Sequence, residues 1–186
     1  SQVALSATPP QIVADGVSTS TIAALVRDAG SNPVPNVSVF FQTTAGSFVN
    51  GVVTGKTDAA GRASVGLRST TQAQIAHVTA FDETNNQSSI DVSFIPGNPH
   101  NLAMHIQPNR IEANGAATAT VAVTVSDINN NLNANIPVTI TTTAGTFPGS
   151  GQGVVAATNG AGVASKVLRA GNAVTVATVT ARAGDK

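Results

Sequence analysis

The chain has 186 residues, with nine Lys plus Arg against nine Asp plus Glu, a formal net charge of zero and only 10% charged residues. That balance excludes a nucleic-acid binder, whose affinity comes from cations meeting phosphates, and a polybasic membrane-surface protein. Cys is absent, which removes disulfides, thiolate nucleophiles and Cys-based metal sites.

The first residues, "SQVALSATPP", already read as a strand, with Val3 and Leu5 facing inward. Asp15-Gly16 marks a turn, and Ile22, Ala24 and Val26 then share one face of a second alternating run. The "GSNP" turn at 30–33 follows. Val37, Val39 and Phe41 point inward beyond it, leaving Phe40 on the outer face. Asn50-Gly51 is another turn. "TDAAGRASVGLRS" (57–69) reads as a tight corner entering a strand. Val78 and Ala80, then Ile90, Val92 and Phe94, supply further inward alternations, with His77 outward between Ala76 and Val78. "FIPGNPHNLAM" carries Pro96, Gly97 and Pro99, which set a boundary at 96–100 and a short, stiff connection. Predicted domains are therefore 1–96 and 97–186.

The second half repeats the first. "VALSATPPQIVADG" ends at Gly16 and "LAMHIQPNRIEANG" at Gly115, 99 residues on. The same offset joins Pro9 to Pro108, Asp28 to Asp127, Val39 to Val138, and "TTAGSF" (43–48) to "TTAGTF" (142–147). After the "PGSGQG" insertion the offset becomes 101, so "TDAAGRAS" meets "TNGAGVAS", with Asn159 for Asp58 and Gly162 for Gly61. Inward positions follow: Leu102, Met104 and Ile106; Val121, Val123 and Val125; Ile136, Val138 and Ile140; Val179 and Ala181. His105 alternates outward, and His100 lies in the connection. Copy two stops near Asp185, before any counterpart of "QSSIDVSF", so it is expected to lack its last strand and the chain to be a piece of something longer. No window shows helical periodicity. About seven short half-buried strands per copy describe two tandem antiparallel β-sandwiches, an all-β protein.

"ADGVSTSTIAALVRDAGSNPVPNVSVFFQTTAGSF", "TDAAGRASVGLRS" and "HVTAFDE" with "SSIDVSF" resemble the group 1 bacterial immunoglobulin-like domains of intimin- and invasin-type adhesins. The resemblance covers nearly the whole chain. Its most specific residues are Asp28 with the Asn-Pro turn, Thr57-Asp58 with Gly61, and Val78-Thr79-Ala80. Copy two departs where Leu132 replaces Pro33 and Asn159 replaces Asp58. The resemblance implies extracellular stalk or passenger repeats on a bacterial surface, neighbouring Ig-like domains as partners, and receptor contact through other domains.

Asp28, Asp58 and Asp127 are the candidate metal ligands. Each has a competing reading as a turn carboxylate that accepts local N–H groups, and Asn159 at the Asp58 position favours that reading. Asp127, Asn129, Asn131 and Asn133 alternate as in a calcium loop. Leu132 holds the sixth place, where glycine is required, and Val138 the twelfth, where an acid is required. Asp82, Glu83 and Asp91 form a mild acidic group, and Asp82 could approach Asp91 across a hairpin. No nucleophile elbow, triad or phosphate-cradling glycine motif is present, so no catalytic residue, enzyme activity or cofactor is expected, and no metal beyond those candidates. Two alternatives remain open beside the stalk. One is a receptor- or carbohydrate-binding module. The other is an appendage subunit assembled by strand addition to the open edge of copy two.

Overall fold

A computed structural model describes residues 1–184; the stop of copy two near Asp185 lies outside the described residues. The chain divides into two compact units, Ser1–Pro96 and Gly97–Lys186.

Unit 1 is a β-sandwich of nine strands. β1 (Gln2–Thr8), β3 (Thr19–Arg27), β7 (Arg62–Arg68) and β5 (Ser47–Phe48) form one sheet in the order β1-β3-β7-β5. β2 (Gln11–Val13), β9 (Gln87–Ile95), β8 (Gln74–Asp82), β4 (Ser38–Thr43) and β6 (Thr54–Lys56) form the other, in the order β2-β9-β8-β4-β6. Pairings are antiparallel except β2 with β9, which is parallel and sets Ile12 beside Phe94. The period of two carries the core: Ile22, Ala24 and Val26 on β3 meet Val39, Phe41, Ala76, Val78, Val92 and Phe94 from the facing sheet. One 3-10 turn (Val49–Gly51) is the sole helical feature among the described residues.

Unit 2 has β10 (Asn101–Gln107), β11 (Thr118–Ser126) and β14 (Val163–Arg169) in one sheet. β13 (Gly153–Ala157), β12 (Pro137–Thr142) and β15 (Val179–Ala183) form the second, in the order β13-β12-β15. Its core is built from Val121, Val123, Val125, Val138, Ile140, Phe147, Ala164 and Leu168. Both units carry a cis X-Pro bond at the equivalent place, Thr8-Pro9 and Gln107-Pro108.

Two expectations change. Leu102 and Met104 share the inward side of β10 with Ile106, yet they are 38% and 42% exposed. In unit 1 the equivalent strand β1 is covered by β9, with Val3, Leu5, Ala7 and Ile90 packed on the core. Among the described residues of unit 2 nothing stands in the place of β9. Burial is a property of the facing element as well as of the strand. The second change concerns Asp82 and Asp91, which the hairpin does not bring together. The β8–β9 register sets His77 opposite Asp91, while Asp82 lies at the turn.

Candidate functional site

One loop geometry, closed by a left-handed fourth residue, recurs five times among the described residues. Its first residue donates its N–H to the carbonyl of the residue four positions on and accepts the N–H of the residue three positions on. The loops are 28–32, 58–62, 82–86, 127–131 and 159–163, with donor–acceptor distances of 2.9–3.1 Å. The fourth residue is in the left-handed region each time: Ser31, Gly61, Asn85, Asn130 and Gly162. This is the three-residue hairpin loop ending in a left-handed bulge residue. An Asp or Asn at the first position fits because its side chain reaches the free N–H groups inside the loop.

Asp58 Oδ1 accepts the N–H groups of Ala60 (2.8 Å) and Arg62 (2.9 Å). Asn159 Oδ1 does the same with Ala161 (3.0 Å) and Val163 (3.1 Å). Gly61 is required for packing as well as for φ. A Cβ there would lie 2.6 Å from the Val26 carbonyl oxygen and about 3 Å from Pro33. Gly162 meets the Val125 oxygen and Leu132 in the same way. The preceding threonine ties the corner to a neighbouring loop. Buried Thr57 Oγ1 accepts from Val37 N–H (2.9 Å) and donates to the Val34 carbonyl (2.7 Å). Thr158 repeats this with Ile136 and Asn133. The sequence marks Thr57 as part of the Thr57-Asp58-Gly61 signature, but the tie that it and Thr158 make to a neighbouring loop spans more than twenty residues and has no local signal.

The D-x-x-x-N loops differ in surroundings. Asp28 is exposed, and the Asn32 N–H and side-chain amide hold its carboxyl below the usual range. Asp82 is buried. Burial opposes its charge, but the Ser1 hydroxyl, Asn86 and Thr84 outweigh that and lower its pKa. Asp127 is 1% exposed and joins distant parts of the chain. Its Oδ1 accepts the N–H groups of Asn129 and Asn131, each at 2.8 Å. Its Oδ2 accepts the Asn131 side-chain amide (2.8 Å) and the N–H of Gly97 (2.8 Å), thirty residues earlier. Burial raises its pKa, and the donors from Asn131, Gly97 and Asn129 more than reverse this. The carbonyl of Gly97 in turn accepts from Asn133 Nδ2 at 2.7 Å, and Asn133 is 6% exposed. Gly97, the first residue of unit 2, is thus held from both sides.

Around these carboxylates the converging atoms are hydrogen-bond donors; a cation needs converging oxygens. Among the described residues no group of three or more His, Cys, Asp or Glu is gathered at metal-binding distance, and no helix is long and apolar enough to cross a membrane. His77 Nδ1 sits 2.6 Å from Asp91 Oδ1 on the outer face of β8–β9, both side chains 59% exposed. Phe40 is on the outer face, stacked on Phe81 with ring centroids 5.4 Å apart. His100 and His105 are exposed.

Fold and corners define the class: tandem immunoglobulin-like β-sandwiches built from one repeated plan. The chain belongs to the bacterial Ig-like domain (group 1) family, whose model matches residues 2–95; the model for invasin domain 3 matches residues 98–185. Among solved structures, the chain is similar to InvD of Yersinia pseudotuberculosis (18% identity, 98% of this chain and 53% of that one, TM-score 0.78). It is also similar to FdeC, an Escherichia coli adhesin (18% identity, 100% and 60%, TM-score 0.57). A third similarity is to invasin, a bacterial integrin-binding protein (25% identity, 98% and 36%, TM-score 0.50). The chain spans about half the length of the InvD structure it matches. Among curated protein sequences none matches it.

Proposed function

We propose that the two domains form a stiff spacer in a bacterial surface adhesin and hold a distal receptor-binding part away from the cell. The observation that carries this reading is the pinning of Gly97. The last residue of unit 1 within a ladder is Ile95, whose carbonyl accepts the Ala14 N–H at 2.8 Å. Gly97 is bound to Asp127 and Asn133. Only Pro96 lies between, and its ring fixes φ. A single restricted residue leaves few torsions through which the domains can swing, unlike a flexible tether.

Family membership supports the adhesin setting, since relatives of this fold include an adhesin and an integrin-binding protein. The Asx corners then serve as structural closures of each sandwich end, with no metal required at Asp28, Asp58 or Asp127, and the domains act mechanically, without catalysis. The test is direct binding by this chain to cultured host cells and to a glycan array, with and without calcium. The spacer reading predicts no saturable binding in any arm. Saturable binding would make these domains a recognition module instead.

A further inference from the structure

The chain holds three Asn-Gly pairs, Asn50-Gly51, Asn114-Gly115 and Asn159-Gly160. Such a pair is prone to attack on itself, because glycine leaves its own amide nitrogen unobstructed and its backbone free to turn. All three pairs stand in turns, yet their side chains are held very differently.

At Asn114 and Asn159 the reacting atoms are tied down. Asn114 Oδ1 accepts the N–H groups of Ala116 (2.9 Å) and Ala117 (2.7 Å), and its Nδ2 donates to Glu112 Oε2 (3.0 Å). The nucleophile of that pair, the Gly115 nitrogen, donates to the Gly171 carbonyl at 3.2 Å. A Cβ on Gly115 would lie 2.5 Å from Asn172 Oδ1, so this glycine has little room to swing. Asn159 Oδ1 accepts from Ala161 and Val163, and its own N–H and carbonyl close the same loop with Val163 and Gly162. Before either side chain can meet the next nitrogen, at least two hydrogen bonds must open.

Asn50 has none of these restraints. It is exposed, and among the described residues its side chain has no hydrogen-bond partner. The turn that holds it, Val49–Gly51, has no buried residue. A long bond closes it, from the Val52 N–H to the Val49 carbonyl at 3.3 Å. The space at Gly51 is open, since a Cβ there would meet nothing within 4 Å.

We propose that Asn50-Gly51 is a self-modification site, where the chain turns an amide into a carboxylate without an enzyme. The Gly51 nitrogen gives its proton to solvent and bonds to Asn50 Cγ. The Cγ–Nδ2 bond breaks, and that nitrogen takes up a proton and leaves as ammonia. One water then opens the cyclic imide. Addition at Cγ breaks the new bond and leaves an aspartate. Addition at the Asn50 backbone carbonyl carbon breaks its bond to the Gly51 nitrogen and leaves an aspartyl residue linked through its side chain. The balance is amide plus water to carboxylate plus ammonium. Either product adds one negative charge to a chain whose formal net charge is zero. The side-chain linkage lengthens the backbone by one atom, which an exposed turn in open space absorbs. The same lengthening at Asn159 would break the paired bonds that shape its corner.

The three sites share one dipeptide, so the unfolded chain is the control. The full chain is aged in neutral buffer, folded and in urea. Fragmentation mass spectrometry counts aspartyl and isoaspartyl products at each site, and ion exchange separates the species with the added charge. In urea the three sites should react at similar rates. Each hydrogen bond that must open first is worth roughly a fewfold to tenfold in rate, so folding should slow Asn114 and Asn159 by at least about tenfold and leave Asn50 near its rate in urea. Asn50→Gln should abolish the main charge variant of the folded chain. Folding that slows Asn50 as much as the other two would overturn the proposal. So would a main charge variant that persists in Asn50→Gln, since the modified residue would then lie elsewhere.

Discussion

Removing the Asp127 carboxylate tests the junction most locally. Asp127→Ala deletes four acceptor contacts, each at 2.8 Å: the N–H groups of Asn129, Asn131 and Gly97 and the Asn131 amide. A hydrogen bond to a charged group contributes about 1.5–3 kcal/mol, and a buried donor left unpaired costs about 1–3 kcal/mol. The Asn129 and Asn131 groups are only half-buried and regain water. Counting full loss for one or two of the four gives about 3 kcal/mol for unit 2. At about 4–8 °C per kcal/mol for a domain of this size, its thermal midpoint should fall by more than about 12 °C. The matched control is Asp28→Ala, the equivalent residue of unit 1, which is exposed and bonds only within its own loop. Calorimetry of the full chain, with NMR of core methyls to assign each transition, reads both variants. An Asp127→Ala shift no larger than that of Asp28→Ala would show that the Gly97 contact carries no weight, and the argument from pinning would fail.

Other outcomes follow from the same geometry. Phe94→Ala should destabilise unit 1 by about 3–5 kcal/mol in urea unfolding and make exchange at β2 resemble that of residues 110–112, because it empties the space that Phe94 fills beside Ile12. Gly46→Ala should cost about 2–4 kcal/mol, since its Cβ would fall 2.3 Å from the Arg68 carbonyl oxygen at a φ of +78°. Acid should weaken both units. The Ser18 backbone N–H, with the Ser18 hydroxyl and Val17 N–H, lowers Asp15 to about 2, and Asp127 is lowered as well. A depressed folded pKa means that the unfolded state binds protons first as pH falls. The stabilisation is complete above about pH 5 and is lost toward pH 2. Thermal midpoints should be flat from pH 7 to 5 and fall below that, and Asp15→Asn should flatten the fall in unit 1.

Local features were legible in the sequence, and features that depend on a distant partner were not. Alternation placed Val121, Val123 and Val125 inward because a strand's faces follow from its own spacing. Asp58 and Asn159 read as turn residues because the donors they accept lie two and four positions away. The link from Asp127 to Gly97 spans thirty residues, and nothing in "DINNNLN" points to it. The repeated D-x-x-x-N spacing at 28, 82 and 127 was available and would have predicted three like loops. It would not have shown which carboxylate is buried. Leu102 and Met104 alternate correctly, and their exposure follows from the facing strand, which no local pattern encodes. The parallel pairing of β2 with β9 is equally non-local: three residues, Gln11–Val13, gain strand form from a partner about eighty positions on.

The central claim is that the pair moves as a stiff spacer, and backbone ¹⁵N relaxation of the full chain tests it most directly. The account predicts one shared rotational correlation time for residues of unit 1 and unit 2, and rigid order parameters at Ile95, Gly97 and Asn98. Distinct, faster correlation times for the two units, each fitting a free single domain, would contradict it.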